Sequence, residues 1–90
     1  MNNIIALNSL INNRQSEIYY IEAALNNLKA VCSLQAKDKK SEYVENTIQM
    51  IQTLHYRVED LKIEIASFER EIKRLKQHDN DQVAMSMGYL

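Results

Sequence analysis

Proline is absent from this chain, and its single glycine, Gly88, stands almost at the end. Without internal breakers of either kind, strands and tight hairpin turns are poorly served, while long uninterrupted helices are permitted. Cysteine is nearly absent too. Cys32 alone excludes an internal disulfide framework and fits a reducing compartment, so a cytoplasmic protein is expected. Asparagine followed two places later by Ser or Thr does not occur, which leaves secretory glycosylation without an acceptor. Neither charge sign is in excess: 11 Lys and Arg against 12 Asp and Glu give a net charge of -1, so no overall field points to nucleic acid or to an acidic membrane. Long apolar runs are missing as well. The N-terminal cluster Ile4, Ile5, Leu7, Leu10 and Ile11 has no basic residue before it and is closed by Arg14, a poor signal peptide and too short a span for a bilayer. Ninety residues allow one small domain with limited room for a core.

What the chain does have is periodicity. From Val44 to Leu75 an apolar residue falls at nearly every first and fourth place of a seven-residue repeat: Val44, Ile51, Val58, Ile65 and Ile72 at the first, and Thr47, Leu54, Leu61, Phe68 and Leu75 at the fourth. Only Thr47 interrupts it. A second such repeat runs from Asn2 to about Ala36, with Ile4, Ile11, Ile18, Leu25 and Cys32 at the first positions and Leu7, Arg14, Ile21, Leu28 and Gln35 at the fourth. A seam of this kind cannot be buried by one helix alone, so each predicts a helix that packs against another.

Between the seams lies Lys37-Asp38-Lys39-Lys40-Ser41-Glu42, where Asp38 or Ser41 can cap a new helix and Glu42 and Glu45 complement its positive end. In an antiparallel pair the first position of one helix faces the fourth of the other. Folding the chain about Asp38 to Ser41 achieves this throughout, pairing Ile4 with Leu75, Leu7 with Ile72, Ile11 with Phe68, Arg14 with Ile65, Ile18 with Leu61, Ile21 with Val58, Leu25 with Leu54, Leu28 with Ile51 and Cys32 with Thr47. Two independently read seams therefore agree on one turn. The expected fold is all-α, an antiparallel two-helix coiled-coil hairpin over residues 1–78 that dimerises into a four-helix bundle. Helix 1 is expected over about 2–36, the turn over 37–41 and helix 2 over about 42–78. After the polar His78-Asp79-Asn80-Asp81, residues 79–90 read as a short tail, docked, mobile or forming a short helix, in which Met85 and Met87 suit an adaptable contact.

A two-helix hairpin is thin, and more surface is expected to be covered. Opposite the seam of helix 1 stand Ser9, Ser16, Ala23 and Ala30, all small, flanked by Ile5, Tyr19, Tyr20 and several asparagines. Small residues at heptad spacing allow a close approach, and tyrosines offer apolar area with a polar tip. The outer face of helix 2 carries Glu45, Glu59, Asp60, Arg70, Lys73 and Arg74 instead. Helix 1 is thus expected to face a second subunit or partner, and helix 2 to face solvent. Leu10, Val31, Tyr43, Ile48 and Met50 lie alongside the seam and widen the apolar stripe. The candidate protein interface is therefore Leu10, Ser16, Tyr19, Tyr20, Ala23, Ala30, Val31, Tyr43, Ile48 and Met50.

Chemistry is poorly represented. The register brings His55 near Glu22, with Glu59 one turn along its own helix, but one histidine and two acids on exposed helices fall short of a closed ligand set, and the inward Glu-x-x-His motif of two-metal bundles is missing. His78 with Asp79 and Asp81 sits in the polar break. Cys32 occupies a seam position with no histidine within reach, as a small apolar group rather than a nucleophile. No glycine-rich phosphate loop can form. No catalysis, metal, cofactor or small-molecule substrate is expected, and no membrane contact.

Arg14 is a charged defect in an apolar seam, of the kind that fixes register or oligomer state, with Glu17, Glu64 or Glu69 as candidate partners or solvent as the alternative. Arg70, Lys73, Arg74 and Lys76 form a basic end to helix 2 that a symmetric dimer would double, the strongest case for RNA or DNA. The same cations complement the helix dipole, and no aromatic platform is interleaved with them.

In outline the hairpin resembles plasmid RNA-binding hairpins that dimerise into four-helix bundles, the small helical chaperones of bacterial type III secretion, and small phage-encoded inhibitors of host proteins. The resemblance is architectural, since seven-residue repeats are shared by unrelated families. The leading expectation is a non-enzymatic interaction protein, an assembly factor, chaperone or inhibitor that self-associates or lends helices to a partner's bundle. The alternative is a dimeric hairpin that binds RNA or DNA through the basic end of helix 2.

Overall fold

The computed structural model describes residues 2–37 and 41–86, with side chains described over 3–37 and 42–78. Two helices make up this part of the chain, α1 (Asn2–Lys37) and α2 (Ser41–Ser86), packed against each other with no strand among the described residues. Helix-helix contacts at Gln35 with Thr47, Glu17 with Arg57 and Arg14 with Glu64 show partner numbers rising as α1 numbers fall, so the two run antiparallel. The outcome is a rod of 74 × 16 × 13 Å. That length matches a helix of 46 residues, roughly 69 Å at about 1.5 Å per residue.

Burial follows the repeat. Every seam position on both helices is buried or half-buried, and beyond the seam only Leu10, Glu17, Glu64, Ala66 and Glu71 are half-covered among the described side chains. Ile11, Leu25, Val58, Leu61 and Ile72 form the buried apolar core, and Leu61 alone is fully enclosed at 0% exposure. The rest of the seam stays half-open because a single neighbour helix can cover only one side of it.

Two polar residues in the seam are accommodated by partners on the opposite helix. Thr47, 5% exposed, donates its hydroxyl to Gln35 Oε1 at 2.7 Å, one turn beyond the Cys32 that faces it in the heptad register. Arg14 donates Nε to Glu64 Oε2 at 3.0 Å, and its guanidinium carbon lies 5.9 Å from the centre of the Phe68 ring. Of the two candidate outcomes for Arg14, a cross-helix acid rather than solvent, Glu64 is the one realised, and no buried side-chain polar atom among the described residues lacks a hydrogen bond.

Asp38, Lys39 and Lys40, on which the sequence places the turn and one candidate cap, lie outside the described residues, as do Met1 and residues 87–90. Glu42 does fall in the first turn of α2 and Lys37 in the last turn of α1, each favourable to the helix dipole at its end. At the far end the structure differs from the expected stop near His78. Helix α2 passes through Asp79-Asn80-Asp81 without interruption to Ser86. Asp and Asn have only modestly lower helix propensity than the best formers, and the true breakers are missing until Gly88, so the end of the apolar repeat marks the end of pairing and not of the helix. The heptad register sets Gln77 level with Asn2, so the nine residues 78–86, roughly 13 Å of helix, run beyond the start of α1.

Candidate interaction surface

The two flanks of the seam differ in chemistry. On one flank the side chains run, from the open end toward the turn, Leu10 and Glu64, then Glu17 and Arg57, then Ala24 and Met50, then Val31 and Tyr43. Its charges are paired within the hairpin, Arg57 forking onto both Glu17 oxygens at 3.2 Å and Arg14 holding Glu64. The opposite flank is a shallow groove lined by Glu22, Lys29, His55, Glu59 and Lys62 around the edges of Leu25 and Val58, with Lys62 Nζ 3.6 Å from Glu59. His55 thus does meet Glu22 and Glu59 in one groove, alongside two lysines, a poor setting for a cation. No group of three or more His, Cys, Asp or Glu that could hold a metal is found among the described residues. Cys32 is half-buried with a free thiol.

Every candidate interface residue except Leu10 is exposed. Leu10 is half-covered because it packs over the edge of the seam. Tyr19 and Tyr20, 70% and 71% exposed, stand edge to face with ring centres 5.7 Å apart and border a shallow hollow shared with Asn12, Gln15 and Ser16. Ser16, Ala23 and Ala30 run beside them along the exposed back of α1. Near the turn, Val31, Tyr43 and Met50 are exposed on the first flank and Ile48 on the opposite one, in heptad line with His55 and Lys62; Met50 edges a second hollow with Asn46, Gln49, Thr53 and Leu54. The predicted residues are therefore spread over the back of α1, one flank of the seam (Leu10, Val31, Tyr43 and Met50) and, for Ile48, the opposite flank.

Four further large apolar side chains are exposed: Ile5, Leu34, Tyr56 and Ile63. Ile5 already flanks the small-residue stripe. Leu34, 62% exposed, extends the same face of α1 toward the turn, seven residues after Asn27 on one heptad line with Tyr20. Tyr56 and Ile63 lie one heptad apart on the back of α2, a spacing that the charges around them conceal, so that face is not uniformly polar.

At the basic end, Arg70, Lys73, Arg74 and Lys76 are all exposed. Arg74 is engaged by Glu71 through a forked hydrogen bond, which holds the Glu71 carboxyl below the usual carboxylate range and raises the Arg74 guanidinium further above its own. One of the four cations is thereby neutralised in place. No helix among the described residues is long and apolar enough to cross a membrane. Comparison with known protein families, curated proteins and solved structures finds no match, so the exposed surface is the basis on which a function can be argued.

Proposed function

We propose that this chain is a non-enzymatic protein-protein interaction module, a small assembly factor, chaperone or inhibitor acting through a helical bundle in which the hairpin supplies two helices. The observation that carries this reading is the exposure of Tyr19, Tyr20, Val31, Leu34, Tyr43 and Met50, on a hairpin whose own seam a single neighbour helix leaves half-open. So many exposed large apolar side chains on a small chain suit a binding face, and large aromatic anchors dominate such interfaces. Binding would set helix against helix, with Tyr20 and Tyr19 as anchors and Ala23, Ala30 and Ser16 allowing close approach.

Nucleic-acid binding is the less supported alternative, because the engaged Arg74 and the near-zero net charge leave little unscreened field at the basic end. The test is affinity capture from the native host with the wild-type chain and with a Tyr19→Lys, Tyr20→Lys, Val31→Lys variant, each checked for helical content. A protein, whether foreign or a tagged second copy, held by the first and lost by the second supports the reading. Equal recovery by both, or recovery of nothing, removes it.

A further inference from the structure

Resting on that reading, we propose that the occupant of the α1 face is a second copy of this chain, docked antiparallel about a two-fold axis near Glu22. Helix α1 carries a second stripe at alternating three- and four-residue spacing: Leu10, Asn13, Glu17, Tyr20, Ala24, Asn27, Val31 and Leu34. It lies roughly 110° round the helix from the intramolecular seam, close to the right angle that separates the two neighbours of a helix in a square bundle. Six of its eight residues are exposed, and the remaining two, Leu10 and Glu17, are half-covered.

The stripe is complementary to itself when reversed. Antiparallel pairing sets Leu10 against Leu34, Asn13 against Val31, Glu17 against Asn27 and Tyr20 against Ala24, each contact made twice by symmetry. Large meets small at the centre, where Ala23 beside the stripe leaves room for the Tyr20 ring, and leucine meets leucine at both ends. A parallel pairing would instead set Glu17 against Glu17 and Tyr20 against Tyr20. Sliding the antiparallel pair by one heptad sets Glu17 against Leu34. The carboxylate of Glu17 is already held by Arg57, so covering it brings no unpaired charge into the interface.

A net charge of -1 per chain opposes such pairing only weakly.

The experiment uses the purified full chain. Light scattering after size exclusion is expected to give twice the chain mass for wild type and half of that for Ala24→Arg at unchanged helical content, since Ala24 is exposed within the hairpin. In a Cys32→Ala background, Asn13→Cys with Val31→Cys is expected to form a disulfide-linked dimer under mild oxidation. Those two sites are 18 residues, roughly 27 Å, apart on one helix and cannot bridge within a chain. Asn13→Cys alone is expected to stay uncrosslinked. A monomeric wild type at all concentrations, or crosslinking through Asn13→Cys alone, overturns the proposal. A monomer that still captures a foreign protein through Tyr20 would overturn it while leaving the interaction reading intact.

Discussion

Helices α1 and α2 bring equivalent seams to their shared core yet differ in what they turn outward. α1 carries five charged residues in 36 and α2 fifteen in 46, although both expose large apolar side chains. Charge density, rather than the presence of an apolar seam, separates the two backs, so covering that of α1 desolvates fewer charges than covering that of α2. Each charge buried without a partner costs several kcal/mol, whereas an apolar or small side chain gains from being covered. The back of α2 is the more polar of the two, even with Tyr56 and Ile63 exposed on it.

The comparison can be broken most severely at the shared core. Leu61→Ala is expected to cost about 2–5 kcal/mol by urea denaturation, since the fully enclosed side chain cannot be replaced by collapse of a two-helix structure, whereas Ile63→Ala two places away should stay within about 0.5 kcal/mol. Equal losses would mean that α2 hides more of its back than the hairpin accounts for. The next effect is on association. Ala23→Glu with Ala30→Glu on α1 should abolish partner or self-binding at unchanged helicity, and Gln49→Glu with Tyr56→Glu on α2 should leave it intact, both read from solution mass. Smaller again is the polar contact between the helices: a double-mutant cycle on Arg14→Met and Glu64→Gln should give a coupling of about 1 kcal/mol or less, because both side chains keep access to water. Arg14→Leu alone should leave stability level or raised, its leucine joining the seam.

The smallest effect is expected at Glu71 and Arg74. Since Arg74 holds the Glu71 carboxyl below its ordinary range, any stability that the pair adds is present above that range and lost as pH falls through the lowered value. Glu71→Gln should therefore lower the neutral-pH midpoint slightly, with the variant and wild-type profiles converging as pH falls through the lowered value.

The seam and the antiparallel fold were legible in the sequence because a seven-residue repeat reports directly on which side chains share a face, and each seam residue from Ile4 to Leu75 is at least half-covered. The partner of Arg14 was legible only as a choice among three acids, because which of them lies within reach depends on side-chain length and rotamer. The Thr47–Gln35 bond was not legible, because the register sets Thr47 level with Cys32 while its hydroxyl takes an acceptor one turn further along α1. The continuation of α2 past His78 was hidden for a different reason: loss of apolar periodicity resembles the end of a helix, but backbone hydrogen bonds propagate wherever no glycine or proline stops them. On the α2 back, Tyr56 and Ile63 were masked by their charged neighbours. On α1 the apolar and small residues stand almost without such neighbours, and their shared exposure is legible in the heptad pattern.

The rod is one side chain thick at its centre, which shapes how it comes apart. Among the described residues each rung of the ladder is held by the rungs above and below and by its opposite strut. Amide protons should be slowest to exchange around Ile18 and Leu61 and progressively faster toward both tips, and damage at one rung should loosen its neighbours before it reaches the far end.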